Sequence, residues 1–104
     1  MSDVPEALLG LHDATLASIV FDWAVRRCTL HFHGVPGIDL QHPFSIVFAD
    51  VTEVSIPSER PWGPSQSVLE VDCVEAGRYV FVMQSGDEIW VSSPTEPIRA
   101  LAAK

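Results

Sequence analysis

The sequence predicts an all-β fold, a small antiparallel barrel or sandwich of six to seven strands with short helical segments at its ends. Three observations carry that expectation. Apolar residues recur at every second position through most of the chain, which is the period of a half-buried strand. Eight prolines and six glycines cut the pattern into short runs. The 104 residues allow one domain, with a radius of gyration of about 13 Å. A hydrophobic fraction of 47% against 19% charged residues is enough to build its core.

The opening stretch departs from the alternation. Asp3 is placed to cap a short helix, with Pro5 in its first turn and Gly10 as its stop. The first strand is expected over Thr15 to Asp22, with Ala17, Ile19, Phe21 and Trp23 on one face. The second runs from Arg26 to His33. Cys28, Leu30 and Phe32 point one way, and Arg27, Thr29, His31 and His33 form a solvent-facing row on the other. Gly34, Pro36, Gly37 and Pro43 then mark a loop.

From Phe44 to Ile56 the apolar residues Phe44, Ile46, Phe48, Val54 and Ile56 share one parity. A straight strand would bury Asp50 and Thr52 among them. A bulge or bend within residues 49–52 avoids burying a carboxylate and divides the stretch into two strands. A proline-rich loop covers residues 57–65. The next strand, Val68 to Glu75, points Leu69, Val71 and Cys73 inward and Glu70 and Asp72 outward. After an Ala76-Gly77 turn, Arg78 to Gln84 and Glu88 to Ser92 form a hairpin around Ser85-Gly86-Asp87.

That hairpin has two possible registers. A two-residue loop pairs Val82 with Ile89; a three-residue loop pairs Met83 with Ile89 and places Phe81 and Val91 on the same face. Either register leaves large apolar groups, Trp90 among them, on the second face. Cover by the N-terminal segment is the simpler explanation, and a homodimer face the sharper one. The tail from Thr95 to Lys104 is expected to form a short helix or fray.

Charge narrows the function. Six Lys and Arg against fourteen Asp and Glu give a net charge of −8. Such a chain lacks the basic face that neutralises phosphates, so nucleic acid is not an expected partner, and neither is an anionic membrane. No apolar run has the roughly 20 residues of a membrane-spanning helix. The first ten residues carry no cationic region of the kind that opens a secretory signal. Cys28 and Cys73 lack the close Cys or His spacing of a zinc site and are read as buried, reduced thiols. No cofactor is expected, since calcium-loop, phosphate-loop and dinucleotide glycine patterns are all missing.

Four features are candidates for chemistry. His12-Asp13 suggests a carboxylate-oriented histidine, but neighbours on an extended chain point apart, which favours Asp13 as a cap for backbone amides. His31 and His33 share a face and form a metal pair if His12, His42 or a carboxylate supplies a third ligand. A solvated polar face is the alternative. Ser65 is followed by Gln66 and Ser67 and so lacks the second glycine of a Gly-x-Ser-x-Gly nucleophile elbow; it is read as closing its loop. Trp62, in a loop stiffened by prolines, is either a lid on the core, the favoured reading, or an exposed binding anchor. With Trp90, Glu70 and Asp72 it makes up the expected partner-binding set, on an acidic surface suited to a basic partner.

Several of these segments carry a resemblance. Leu11-His12-Asp13-Ala14, followed by alternating apolar residues and Asp22-Trp23, resembles the opening of small, mostly uncharacterised bacterial all-β domains. Some of those are similar to immunity proteins of polymorphic toxin systems. The segments Phe48-Ala49-Asp50-Val51, Pro61-Trp62-Gly63-Pro64-Ser65 and Met83-Gln84-Ser85-Gly86-Asp87 fit the uncharacterised set. The resemblance implies a bacterial, cytoplasmic all-β domain and brings no catalytic residues with it. The resulting expectation is a non-enzymatic interaction domain, toxin-neutralising in its immunity-like form. The alternative is a small hydrolytic or metal-dependent enzyme using His12, Asp13, His31 and His33.

Overall fold

Strands form wherever the sequence analysis placed them, and one further strand forms at the end of the chain. In the computed structural model residues 4–34 and 43–101 are described. The expected Asp3 cap, the loop containing His42 and the end of the tail (residues 102–104) lie outside them. Eight strands form rather than six to seven: β1 (Thr15–Asp22), β2 (Arg27–Gly34), β3 (Phe44–Phe48), β4 (Glu53–Ser55), β5 (Val68–Glu75), β6 (Arg78–Met83), β7 (Glu88–Ser92) and β8 (Ile98–Leu101). They make two antiparallel sheets of four, in the orders β1-β2-β3-β8 and β4-β7-β6-β5. The Cα radius of gyration is 12.9 Å.

The sheets face one another across a core of aromatic and branched side chains. Phe48 of the first sheet meets Tyr79 and Phe81 of the second at ring distances of 5.2 and 6.1 Å. Leu30, Ile46, Val68, Ile89 and Val91 fill the space around them. Among the described residues no barrel closes, so of the two architectures the sequence allowed the sandwich is the one formed. Among the described residues a single isolated bridge, Thr15 to Ser67, joins the sheets at one corner, and Leu16 N–H donates to the Gln66 carbonyl beside it. Away from that corner β1 and β4 are not paired. A cleft of about 370 Å³, lined in part by Leu16, Ile19, Ile56, Met83 and Ile89, opens between them.

The bend expected within residues 49–52 is present and carries the chain from one sheet to the other. Asp50 is exposed with φ of 53°, and Val51 turns into the core. Val51 N–H donates to the Arg26 carbonyl and Thr52 N–H to that of Ser92, so the bend is bonded to both sheets. The buried Ser93 hydroxyl donates to the Ala49 carbonyl at 2.5 Å.

Four expectations need correction. The tail is not helical: Ile98 to Leu101 form β8, because β3 offers an otherwise unpaired edge to them. Simple parity fails in β1, where register shifts flank Leu16. Leu16 and Ile19 pack against the core, Ala17 is exposed, and Trp23 lies beyond the strand with 84% of its surface open. Parity fails again in β5, where shifts around residues 69 and 74 leave Leu69 and Val74 exposed while Val68 and Cys73 are buried. Finally, the β6–β7 hairpin pairs Phe81 with Ile89, and Met83 N–H donates to the Asp87 carbonyl. Neither register drawn from the sequence is the actual one. The inward face is nonetheless that of the three-residue reading, with Phe81, Met83, Ile89 and Val91 in the core.

The N-terminal segment makes only a 3-10 turn, Glu6–Leu8, with Pro5 at its N-cap and Gly10 at φ of 74° beyond it. Leu8 and Leu11 enter the core. Arg99 of β8 holds the segment by donating to the carbonyls of Ala7 and Leu9 at 3.1 and 2.8 Å. The segment therefore packs beside β8, in the first sheet. It is not the cover that the second face of the β6–β7 hairpin was expected to have.

Candidate functional site: an acid-rimmed sheet face

Cross-strand pairing places the outward side chains of the second sheet in three rows, since directly paired residues share a face. One row is Glu70, Val82 and Glu88. The next is Asp72, Val80, Trp90 and Ser55, and the last Glu75, Arg78, Ser92 and Glu53. The result is an apolar centre of Val80, Val82 and Trp90 surrounded by five carboxylates. Val80 is only 5% exposed yet does not belong to the core cluster, because its cover comes from its neighbours on this face.

Trp90 is held on both sides. The Arg78 guanidinium lies over its ring at 4.8 Å, and its indole N–H donates to Glu88 Oε1 at 3.3 Å. A ring fixed in this way loses little further freedom when a partner covers it. Three of the four partner-binding residues expected from sequence, Trp90, Glu70 and Asp72, thus converge on one face. Sequence alternation had identified them, but Arg78, Val80 and Val82 required the register.

The fourth residue lies elsewhere. Trp62 is 68% exposed, so the lid reading is replaced by that of an exposed ring. Its loop is fixed at the turn of the β6–β7 hairpin. Trp62 N–H donates to the Ser85 carbonyl, and the ring and Pro61 lie so close over Gly86 that a Cβ there would come within 2.8 Å of both. Asp87 secures the same loop: its carboxylate accepts from Glu59 N–H at 2.8 Å, from Arg60 N–H at 3.0 Å and from Ser85 Oγ at 2.7 Å. The Ser85 hydroxyl, followed by these backbone donors, holds the Asp87 carboxyl below its ordinary value of 3.8. Nothing in the sequence distinguished Asp87 as an anchor, because its partners are far along the chain. Ser65 accepts a bond from Ser67 N–H, the loop-closing role expected of it.

The histidines are dispersed among other tasks. Asp13 has φ of 69°, so the chain is not extended there and His12 folds back towards it. His12 Nε2 lies 3.6 Å from Asp13 Oδ2, while Nδ1 bonds the Leu69 carbonyl at 2.7 Å. This corrects the expectation that the two side chains point apart. Asp13 accepts from Gln84 Nε2 at 2.6 Å. His31 Nδ1 bonds Ser45 Oγ at 2.9 Å on the outer face of the first sheet, and His33 is exposed. Among the described residues no group of three or more His, Cys, Asp or Glu is arranged to hold a metal, so His12, His31 and His33 do not form one ligand set.

Both thiols are reduced and buried, and Cys73 Sγ donates to the Glu75 carbonyl at 3.2 Å. Burial pushes Cys28 up to about 11, which keeps it protonated and a poor nucleophile. Among the described residues no helix is long and apolar enough to cross a membrane. No protein-family model matches the chain, and no curated protein or solved structure matches it either.

Proposed function

We propose that the chain is a non-enzymatic protein-interaction domain that binds a basic protein through the outer face of its second sheet. One observation carries this reading: Trp90, Val80 and Val82 occupy the centre of a face rimmed by Glu53, Glu70, Asp72, Glu75 and Glu88. An apolar centre with a charged rim is the usual anatomy of an interface, and aromatic residues supply most of the binding energy there. The sign of the rim selects a partner of opposite charge and speeds the encounter. A second copy of the same face would set carboxylate against carboxylate, which disfavours a homodimer at this position. Neutralisation of a basic toxin, the role implied by the immunity-protein resemblance, is the specific form we favour.

The test is binding to the basic product of a gene adjoining this one, measured by titration calorimetry. Trp90→Ala should weaken binding by roughly thirtyfold or more, the ~2 kcal/mol of an aromatic hot spot. Reversal of Glu70 and Asp72 to lysine should slow association strongly. Unchanged affinity in both variants would overturn the assignment of this face.

A further inference from the structure

A sheet edge with free backbone groups pairs with another strand unless something prevents it. The two sheets have four edges: β1 and β8 in the first, β4 and β5 in the second. Three are obstructed. β4 is only three residues long and runs into Pro57. β5 carries Glu70, Asp72 and Glu75, and its register shifts fall at both ends of the strand, whereas those of β1 are confined to its first residues. β8 has four residues, and its Arg99 is bonded to the N-terminal segment. β1 is different. It has eight residues, no proline or lysine, and no charge before Asp22. Among the described residues its outer backbone is engaged only at its start, where Thr15 and Leu16 meet Ser67 and Gln66. Beyond the bulge, Ser18 to Asp22 form an edge on which Val20 is 51% and Phe21 37% exposed.

From this edge we infer that β1 is the docking surface for a second copy of the chain, paired antiparallel to itself across a two-fold axis at Val20. The inference is independent of the partner-binding face and concerns the opposite sheet. An antiparallel strand paired with itself is self-complementary by symmetry. In the register centred on Val20, Ile19 faces Phe21 of the other copy, and Ser18 faces Asp22. Apolar residues therefore meet apolar residues, and a carboxylate meets a hydroxyl rather than its own counterpart. The electrostatics also permit it. The chain carries −8 overall, but the β1–β2 hairpin sets a single carboxylate, Asp22, against Arg26 and Arg27. The five-carboxylate rim is on the other sheet and would face outward from both ends of the dimer. Pairing would join two four-stranded sheets into one of eight.

Sedimentation of the intact chain from micromolar to submillimolar concentration provides the first readout, and a dimer is expected. Val20→Lys places two ammonium groups opposite each other on the axis and should return the protein to a monomer with an unchanged circular dichroism spectrum. Ser18→Lys brings an ammonium to Asp22 of the other copy and should preserve the dimer. Val20→Cys gives an independent reading, because Cα atoms of directly opposed antiparallel residues, about 4.5–5.5 Å apart, are within disulfide range. With diamide as oxidant this variant should cross-link into a covalent dimer, even if Val20→Lys fails to fold. A monomer at every concentration, a dimer that survives Val20→Lys, a Val20→Cys variant that stays uncross-linked, or a dimer abolished instead by Trp90→Ala would each overturn the inference.

Discussion

Asp87 joins two parts of the chain that are remote in sequence. Its carboxylate accepts the amides of Glu59 and Arg60 and the hydroxyl of Ser85, and so fixes the Trp62 loop to the β6–β7 turn. A carboxyl held below its ordinary value stabilises the fold when ionised. That contribution is present above about 3.8 and is lost as the pH falls through the lower folded value. Asp87→Asn should therefore lower the urea midpoint at neutral pH, and should remove part of the loss of stability that the parent shows in strong acid. If the two proteins lose stability in parallel on acidification, the carboxylate is not the anchor. At this scale the sequence was informative about residue type and silent about partners. Trp62 was recognisable as a ring of interest, but its exposure depends on how Pro61 and Gly86 pack beneath it. His12 and Asp13 come together only because Asp13 adopts a left-handed backbone that spacing does not reveal.

At the scale of elements, alternation identified β1, β2, β3, β5, β6 and β7, since each has one face in the core. What it missed were insertions in the pleat. A bulge changes parity without changing composition, so Leu69 reads as inward and is exposed, and Ala17 follows the same pattern in β1. The split at Asp50 was legible for the opposite reason: two polar residues would have broken an apolar row, and the cost of burying them requires a bend. β8 was illegible because four residues are too few to display a period. Its stability comes from pairing with β3 and from Arg99, which also lies 4.7 Å over the Phe44 ring. Arg99→Ala removes both bonds to the N-terminal segment and should cost about 1–3 kcal/mol. Hydrogen exchange locates the effect: the amides of Leu8 and Leu9, bonded to the carbonyls of Pro5 and Glu6, should lose protection before the rest of the fold. Uniform loss across both sheets would show that the segment is integral to the whole core.

For the whole molecule, charge distribution matters more than net charge. Composition gave the −8, but only the cross-strand rows show that five carboxylates surround Trp90, while the β1–β2 hairpin is close to neutral. Binding of a basic partner to that rim should slow as salt is raised, through loss of long-range attraction over a screening length of about 10 Å at 0.1 M. Dissociation should change much less, because the apolar centre is insensitive to ionic strength. Stopped-flow measurement across a salt series separates the two rates, and an association rate unaffected by salt would exclude electrostatic steering by this face.

The enclosure of Cys28 between the sheets has a practical corollary. A thiol held protonated and out of solvent is silent to alkylating reagents for as long as the sandwich stays shut. The molecule thus carries its own tamper seal, and the rate at which that sulfur becomes labelled is a direct clock of how often the layers part.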